Sequence, residues 1–413
     1  MNKYWHCIVI GGGAAGMFAA ITCKETNPKK SVCVLEKAPR FLTKVGISGG
    51  GRCNVTHACF DPRELVSRYP RGSRELRGPF SKWQPSDTID WFEQRGVELK
   101  TEDDGRIFPT TDDSQTIINL LLESARDVGV SLFSRQSVLD VRPSENGVFE
   151  ICSKDQKYSA QQVMLATGSL KDGPLAKNLQ EIGHSIQELA PSLFTFKIND
   201  PRINELQGIA IEPTKVKILD GKLENTGPVL ITHWGLSGPG ILKLSAVAAR
   251  ELQKRQYVFK ISLNWLADFH SNQVVEILRR ARRQRAKQQV GSHALFSLPQ
   301  RFWDRIVQSA HIPRDTVWSQ LKSEQEKSLI RELTEMQLSV SGKSMNKEEF
   351  VTCGGVALKE VDFRRMESRI IPNLYFGGEV LDIDGITGGF NLQNAWTTGR
   401  LAGLAMAAPS VAA

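Results

Sequence analysis

Residues 4–36 read YWHCIVIGGGAAGMFAAITCKETNPKKSVCVLE. An apolar run from Tyr4 to Ile10 stops at glycine, Ala14 to Lys24 has helical composition, and Ser31 to Leu35 is again rich in Val and Leu. That order predicts strand, turn, helix and strand. The turn holds Gly11, Gly13 and Gly16 in GxGxxG spacing directly between strand and helix, the context that gives the pattern its meaning. The first glycine permits the tight turn, the second lets backbone approach a pyrophosphate, and the third lets helix and strand pack closely. Ala14 and Ala15 open the helix, whose terminal N–H groups and partial positive charge would face that phosphate. Glu36 stands 20 residues after Gly16, where a carboxylate can accept both hydroxyls of an adenosine ribose. An ordinary acid at a strand end is the competing reading.

Outward from this unit, apolar residues recur at helical spacing over 87–95 and 114–128, the second set being Ile117, Leu120, Leu121 and Ala125. Strand-like runs fall at 106–108, 131–133, 137–141, 148–152 and 162–166. From about Ser192 to Leu263 the texture is β-rich with Pro and Gly turns, including runs at 215–219 and 257–263. Charged helical stretches punctuated by Pro299 and Pro313 follow, from Asn272 to Leu333. After Ser339 the chain turns apolar and glycine-rich, ending in a helix over about 392–407. The simplest topology returns this last part to the first domain. The expected division is residues 1–191 with 346–413, a β-type domain of 192–270 with 334–345, and a helical insert at 271–333.

A chain of 413 residues with 40% apolar and 24% charged residues is globular in composition and long enough for two or three domains. Its net charge of +8 is a moderate excess, most concentrated in Arg279, Arg280, Arg282, Arg283, Arg285 and Lys287. Seven cysteines without a CxxC pair or zinc-ligand spacing point to reduced thiols, a cytoplasmic location and no metal site. Cys7, Cys33 and Cys152 fall in expected strands as small buried hydrophobes. The glycines at 11–16 argue against a signal peptide, and no run of about 18 apolar residues suggests a transmembrane helix.

GxGxxG alone does not separate FAD from NAD; other segments decide. Ser48, Gly49, Gly50, Gly51, Arg52, Cys53 and Asn54 form a second glycine-rich loop that exposes consecutive backbone N–H groups. Lys44, Arg52 and Asn54 add charge and directed hydrogen bonds suited to phosphates, ribityl hydroxyls or a flavin edge. A flexible surface loop is the alternative. Cys53 has no resolving partner at usable spacing, which favours packing over redox chemistry. Ala166, Thr167 and Gly168 close a strand with small residues that let backbone approach a ligand, against the alternative of a plain turn. Far along the chain, Leu374 to Glu379 and then Asp384 to Gln393 read as strand, glycine turn and helix. A helix starting at about Asn391 would aim its N-terminus at an electron-rich group such as the N1–C2 carbonyl edge of a flavin. A cofactor as long as FAD needs two βα units, whereas an NAD-only enzyme would have little use for the second.

These segments together resemble the BaiN/YhiN family of bacterial NAD(P)/FAD-dependent oxidoreductases. The resemblance rests on GGGAAGMFAA at 11–20, SGGGRCNVT at 48–56, THWGLSGPGIL at 232–242, TCGGV at 352–356 and GGEVLDIDGITGGFNLQNAWTTG at 377–399. It spans nearly the whole chain and departs at 40–44 and at His57. It implies an α/β, two-dinucleotide-binding Rossmann flavoprotein fold with an inserted β-barrel-like domain carrying a small helical subdomain. It further implies FAD contacts from Ala15, Glu36, Lys37, Lys44, the loop 48–54, Val138 through its backbone, Gly378, Glu379, Asn391, Leu392 and Gln393.

In such an enzyme the flavin carries the redox chemistry and the protein positions the substrate. The chain offers no convincing Ser-His-Asp set, metal cluster or pair of catalytic carboxylates. His233 is a candidate proton relay and Trp234 a stacking surface for a flat substrate, against a satisfied histidine and a packed tryptophan. The expected function is reduction of a small organic acceptor of enone or ketone type with NAD(P)H as co-substrate. No second GxGxxG is present, so NAD(P)H would visit without its own Rossmann domain. Rivals are an amine or aminoketone oxidase using oxygen, a fumarate-type reductase, for which the middle domain shows no arginine motif, and an RNA-binding flavoprotein. Nucleic acid is not the expected partner, because charge runs such as 279–287 usually form solvated helix faces.

Overall fold

The computed structural model describes residues 3–144, 146–171, 173–344 and 351–408; the expected boundary at 345/346 lies outside them. The chain divides into two compact units, residues 1–190 with 347–413, and residues 191–346.

The first unit is built on a mixed sheet with a parallel centre. In spatial order its central strands are Leu374–Phe376, Lys157–Leu165, Lys3–Ile10, Val32–Leu35 and Ser131–Phe133, all parallel. The strand Lys157–Leu165 runs longer than the expected 162–166. Its polar first half pairs antiparallel with Phe149–Ser153, which pairs in turn with Val138–Pro143. Register fixes the key geometry: Ile10 lies beside both Leu35 and Leu165, and Leu165 beside Phe376. With Phe133 beside Leu35, all five strands end in one row, and the segments that follow them leave from one edge of the sheet. In open α/β sheets, ligands bind at such carboxyl edges.

The first helix, Ala14–Thr26, is buried along its first ten residues, as a helix apolar on all sides must be. It packs against the last helix, Phe390–Ala407, through small residues. A Cβ at Gly399 or at Gly403 would press on the carbonyl oxygens of Ala15 and Ala19. Cys7 and Cys33 are buried in neighbouring strands, and Cys152 is half-buried.

The second unit holds a seven-stranded antiparallel sheet ordered Met336–Val340, Phe259–Asn264, Ala210–Ile218, Glu224–Thr232, Gly235–Ser237, Thr195–Lys197 and Gly342–Ser344. Helices Ser271–Gln284, Gln300–Ser309 and Ser323–Thr334 share its core. The first of these buries Val274, Leu278 and Ala281, an i, i+4, i+7 stripe that leaves the opposite face to its charged residues. Among the described residues, no helix is long and apolar enough to cross a membrane.

Candidate functional site

The site is the carboxyl edge of the parallel sheet in the first unit. Backbone hydrogen bonds stitch its loops together: Gly11 N donates to Leu35 O (2.8 Å), Ala166 N to Ile10 O (2.8 Å) and Gly377 N to Leu165 O (3.1 Å). Gly11 has φ +108°, and a Cβ there would overlap the Ala166 carbonyl; one at Gly16 would overlap the carbonyl of Gly11 itself. These two glycines are demanded by the fold. Gly13 is different, because a Cβ on it would meet nothing within 4 Å. It is the N-cap of the first helix, with no side chain capping that end and no acid in the first turn. The first-turn amides are left to bind an anion, in the way a dinucleotide pyrophosphate requires.

Glu36 follows the neighbouring strand, half-buried. Its carboxylate accepts from Gly12 N and Ala38 N, each at 2.7 Å, one bond per oxygen. Each oxygen keeps acceptor capacity for a ribose hydroxyl. Lys37 is exposed. Gln136 N donates to Glu36 O (2.8 Å), which brings in the segment leading to buried Val138.

The loop 48–51 takes left-handed backbone at Gly49, Gly50 and Gly51. Cβ atoms at Gly50 and Gly51 would again meet nothing within 4 Å, so this backbone stands open to a partner. Arg52 lies over the Phe108 ring (3.9 Å) and pairs with Glu102 (2.6 Å) and Asp112 (3.3 Å). Cys53 is fully buried, and burial pushes its thiol up to about 12, which agrees with packing and removes it as a thiolate at neutral pH. Asn54 is spent inside the protein: its amide donates to Thr56 O (2.9 Å) and accepts from Gly389 N (3.0 Å). It thus ties the glycine loop to the turn before the last helix.

That turn completes the site. Gly389, the N-cap, is left-handed, and the helix begins without a side-chain cap or an acid in its first turn. Asn391 holds the turn by bonding Gly385 N (2.8 Å) and Gly385 O (2.9 Å). Leu392 is half-buried. Gln393 is fully buried, bonded to Thr56 Oγ1 (2.5 Å) and Thr397 Oγ1 (3.0 Å), so its side chain faces the core and only its backbone is left for a ligand. Gly378 N donates to Thr398 Oγ1 (2.9 Å). Glu379 is ion-paired with Lys44 and also accepts from Thr352 N (2.9 Å). Gly168 lies beside that pair, 3.6 Å from Glu379 Oε2 and 3.9 Å from Lys44 Nζ when measured from a Cβ position; Thr167 is half-buried next to it.

Several contributors escape sequence reading. Arg71 makes a two-pronged ion pair with fully buried Asp384, anchoring the turn that leads into the last helix. Thr398 and Thr352 act through single hydrogen bonds to backbone or carboxylate. Hydrogen bonding across 20 to more than 300 residues leaves no local pattern to find. His233 belongs to the second unit, exposed in the turn between Glu224–Thr232 and Gly235–Ser237, next to Trp234, which is 61% exposed. Among the described residues, no cluster of three or more His, Cys, Asp or Glu could hold a metal.

The arrangement fits a dinucleotide with a second, electron-rich end. Two uncapped helix N-termini, the open backbone of Gly50 and Gly51 and one ribose-suited carboxylate belong to one unit, and the first helix and Glu36 directly follow strands that end in a single row.

Comparison with known proteins shows the family to which the chain belongs. A family model described as HI0933-like protein Rossmann domain matches residues 5–405. The ribosomal RNA dihydrouridine synthase of Escherichia coli is 30% identical over 403 residues, covering 95% of this chain and 96% of that protein. The 3-dehydro-bile acid delta(4,6)-reductase of Clostridium scindens is 28% identical over 408 residues, covering 97% and 98%. Among solved structures, a 3-ketosteroid-delta4-(5alpha)-dehydrogenase from Rhodococcus jostii RHA1 aligns with a TM-score of 0.55 at 12% identity, over 99% of this chain and 98% of that one. This last likeness speaks for the fold alone.

Proposed function

The chain belongs to the HI0933-like family and is an FAD-dependent oxidoreductase, and from that premise we propose that it reduces a uridine of ribosomal RNA to dihydrouridine, with NAD(P)H as electron donor. The observation that carries the reading is the end-to-end similarity to the Escherichia coli synthase, 30% identical over 95% of this chain. The chemistry agrees with the enone expected from sequence. The C5–C6 double bond of uracil is conjugated to the C4 carbonyl, which makes C6 electron-poor. The net reaction adds two electrons and two protons across that bond while NAD(P)H is oxidised.

When bound, FAD supplies the two-electron transfer. The residues do the holding. Gly13 and the first-turn amides of Ala14, Ala15 and Gly16 would take the pyrophosphate, and Glu36 the adenosine ribose. Open backbone at Gly50 and Gly51 would line the middle of the cofactor. The uncapped start of the last helix would place N–H groups and partial positive charge at the electron-rich edge of the ring system. Lys44 and Glu379 neutralise each other beside Gly168.

A steroid-type enone is the second reading, favoured by the 28% identity to the bile-acid reductase. Anaerobic double mixing separates the two. The yellow protein is first bleached with NADPH and then mixed with ribosomal RNA lacking dihydrouridine, or with a 3-keto-4-ene steroid. Return of the absorbance with RNA and not with steroid is the expected result. Return with steroid alone would overturn the uridine assignment and leave the oxidoreductase standing.

A further inference from the structure

The basic stretch 279–287 has no part in the cofactor site, and its charge is unevenly placed in the molecule. Residues 191–346 carry 23 Lys and Arg against 14 Asp and Glu, whereas the remainder carries 30 against 31. All of the chain's positive excess therefore belongs to the second unit. Six of its cations fall between Arg279 and Lys287 without an intervening acid.

The helix Ser271–Gln284 uses Val274, Leu278 and Ala281 to join its own unit's core. Arg279, Arg280, Arg283 and Lys287 are exposed and make no ion pair or hydrogen bond with any described residue. Most arginines with defined geometry elsewhere are occupied: Arg52, Arg71, Arg95, Arg202 and Arg305 are each held by a carboxylate. Arg282, in the same stretch, is also tied, to Glu326 at 3.5 Å. Two cations in a last helical turn are explained by the negative helix terminus, and Arg282 and Arg283 fill that role. Arg279 and Arg280 lie a turn earlier and Lys287 lies beyond the helix end, so the terminus accounts for none of these three.

We infer that Arg279, Arg280, Arg283 and Lys287 form a docking surface for the phosphate backbone of RNA. The inference rests on the ribosomal RNA reading of the function and deepens it by assigning the substrate's backbone to the second unit. Charge complementarity selects the occupant. Arg279, Arg280 and Arg283 lie on the helix and Lys287 in the turn that follows it, a spread that a polyanion can track, with no aromatic side chain among them to stack on bases. The helix's apolar stripe is already buried, so the surface has no hydrophobic face to sink into a membrane. Binding through it is electrostatic, salt-dependent and indifferent to sequence; selection of the target uridine occurs elsewhere.

The test uses the full-length holoprotein and deproteinised bacterial ribosomal RNA in filter binding from about 50 mM to 1 M salt. Each lost phosphate contact flattens the log–log salt slope by about 0.7 for single-stranded RNA, so the triple variant Arg279→Gln/Arg280→Gln/Arg283→Gln should lose about 2 from it. Extrapolated from 1 M, that is a loss of about 100-fold in affinity at 0.1 M salt. Turnover on RNA should show a raised KM at unchanged kcat, with flavin content and unfolding midpoint as in the wild type. The corresponding triple lysine variant keeps the charges and should bind within a few-fold of wild type. A glutamine variant that binds RNA with wild-type affinity and slope overturns the docking surface while leaving the uridine reading intact. A wild-type protein that retains no RNA at low salt overturns both. Binding to phosphatidylserine vesicles that the glutamine variant loses, with RNA binding unchanged, would reassign the surface to a membrane and likewise overturn the inference.

Discussion

Gly13→Ala separates the cofactor's demand on the backbone from the fold's. A Cβ at this position meets nothing within 4 Å, and its φ of −87° is open to any residue. Alanine is a poorer N-cap than glycine by several tenths of a kcal/mol, and it stiffens the unfolded chain by about 0.4–1 kcal/mol in the opposite sense. The apoprotein should keep its stability within about 0.5 kcal/mol. The methyl group would instead stand where backbone must approach the pyrophosphate. Losing one charge-assisted N–H contact costs about 1.5–3 kcal/mol, so FAD affinity should fall by about tenfold to about 150-fold. Titration of apoprotein with FAD by fluorescence quenching, beside urea unfolding of the apoprotein, reads both quantities. Gly16→Ala is the contrast: its Cβ would overlap the carbonyl of Gly11, and the apoprotein itself should lose about 2–3 kcal/mol. A folded Gly13→Ala protein that binds FAD within twofold of wild type would refute the placement of the pyrophosphate.

Three further outcomes follow from the same geometry. Glu36→Ala leaves the Gly12 and Ala38 N–H groups without their acceptor, so it should cost the apoprotein about 1–3 kcal/mol in urea unfolding and weaken FAD as well. Arg71→Met removes the guanidinium that forms a two-pronged ion pair with fully buried Asp384; a loss of about 3–5 kcal/mol and of bound flavin is expected, measured by thermal unfolding and by absorbance ratio. Cys53 binds its proton more tightly in the folded chain than in the unfolded one, so its stabilising effect is complete below pH 9 and fades as pH rises toward about 12. The unfolding free energy of wild type should therefore fall more steeply than that of Cys53→Ala between pH 8.5 and 10.5, and equal slopes would contradict a buried neutral thiol.

The first βαβ unit was legible because periodicity, glycines and strand composition agree within 33 residues. The expected strand and helix at 131–133 and 114–128 lie at Ser131–Phe133 and Ser114–Asp127, where alternation and an apolar stripe mark them. The short helices Thr43–Ile47, Pro62–Ser67 and Arg77–Phe80 were invisible, since four to six residues are too few to display a helical period. The first half of Lys157–Leu165 was hidden by its polar alternation, which reflects one face left to solvent. At the site, the glycine cradles were readable as motifs, but their meeting depends on the place of Leu165 between Ile10 and Phe376, a register that local sequence does not carry. Side-chain roles were the least legible. Asn54 and Gln393 have the chemistry of ligand donors, yet their amides are taken by Gly389 and by Thr56 and Thr397. Lys44 and Glu379, 335 residues apart, satisfy one another.

Nucleoside mass spectrometry of ribosomal RNA tests the central claim most directly. Unmodified bacterial ribosomal RNA is incubated anaerobically with the purified holoprotein and NADPH, digested, and read for a uridine heavier by two hydrogens. Dihydrouridine that rises with enzyme, requires NADPH and is lost from apoprotein stripped of flavin until FAD is restored is the predicted result. RNA left unchanged by a preparation whose flavin is readily bleached by NADPH would contradict it.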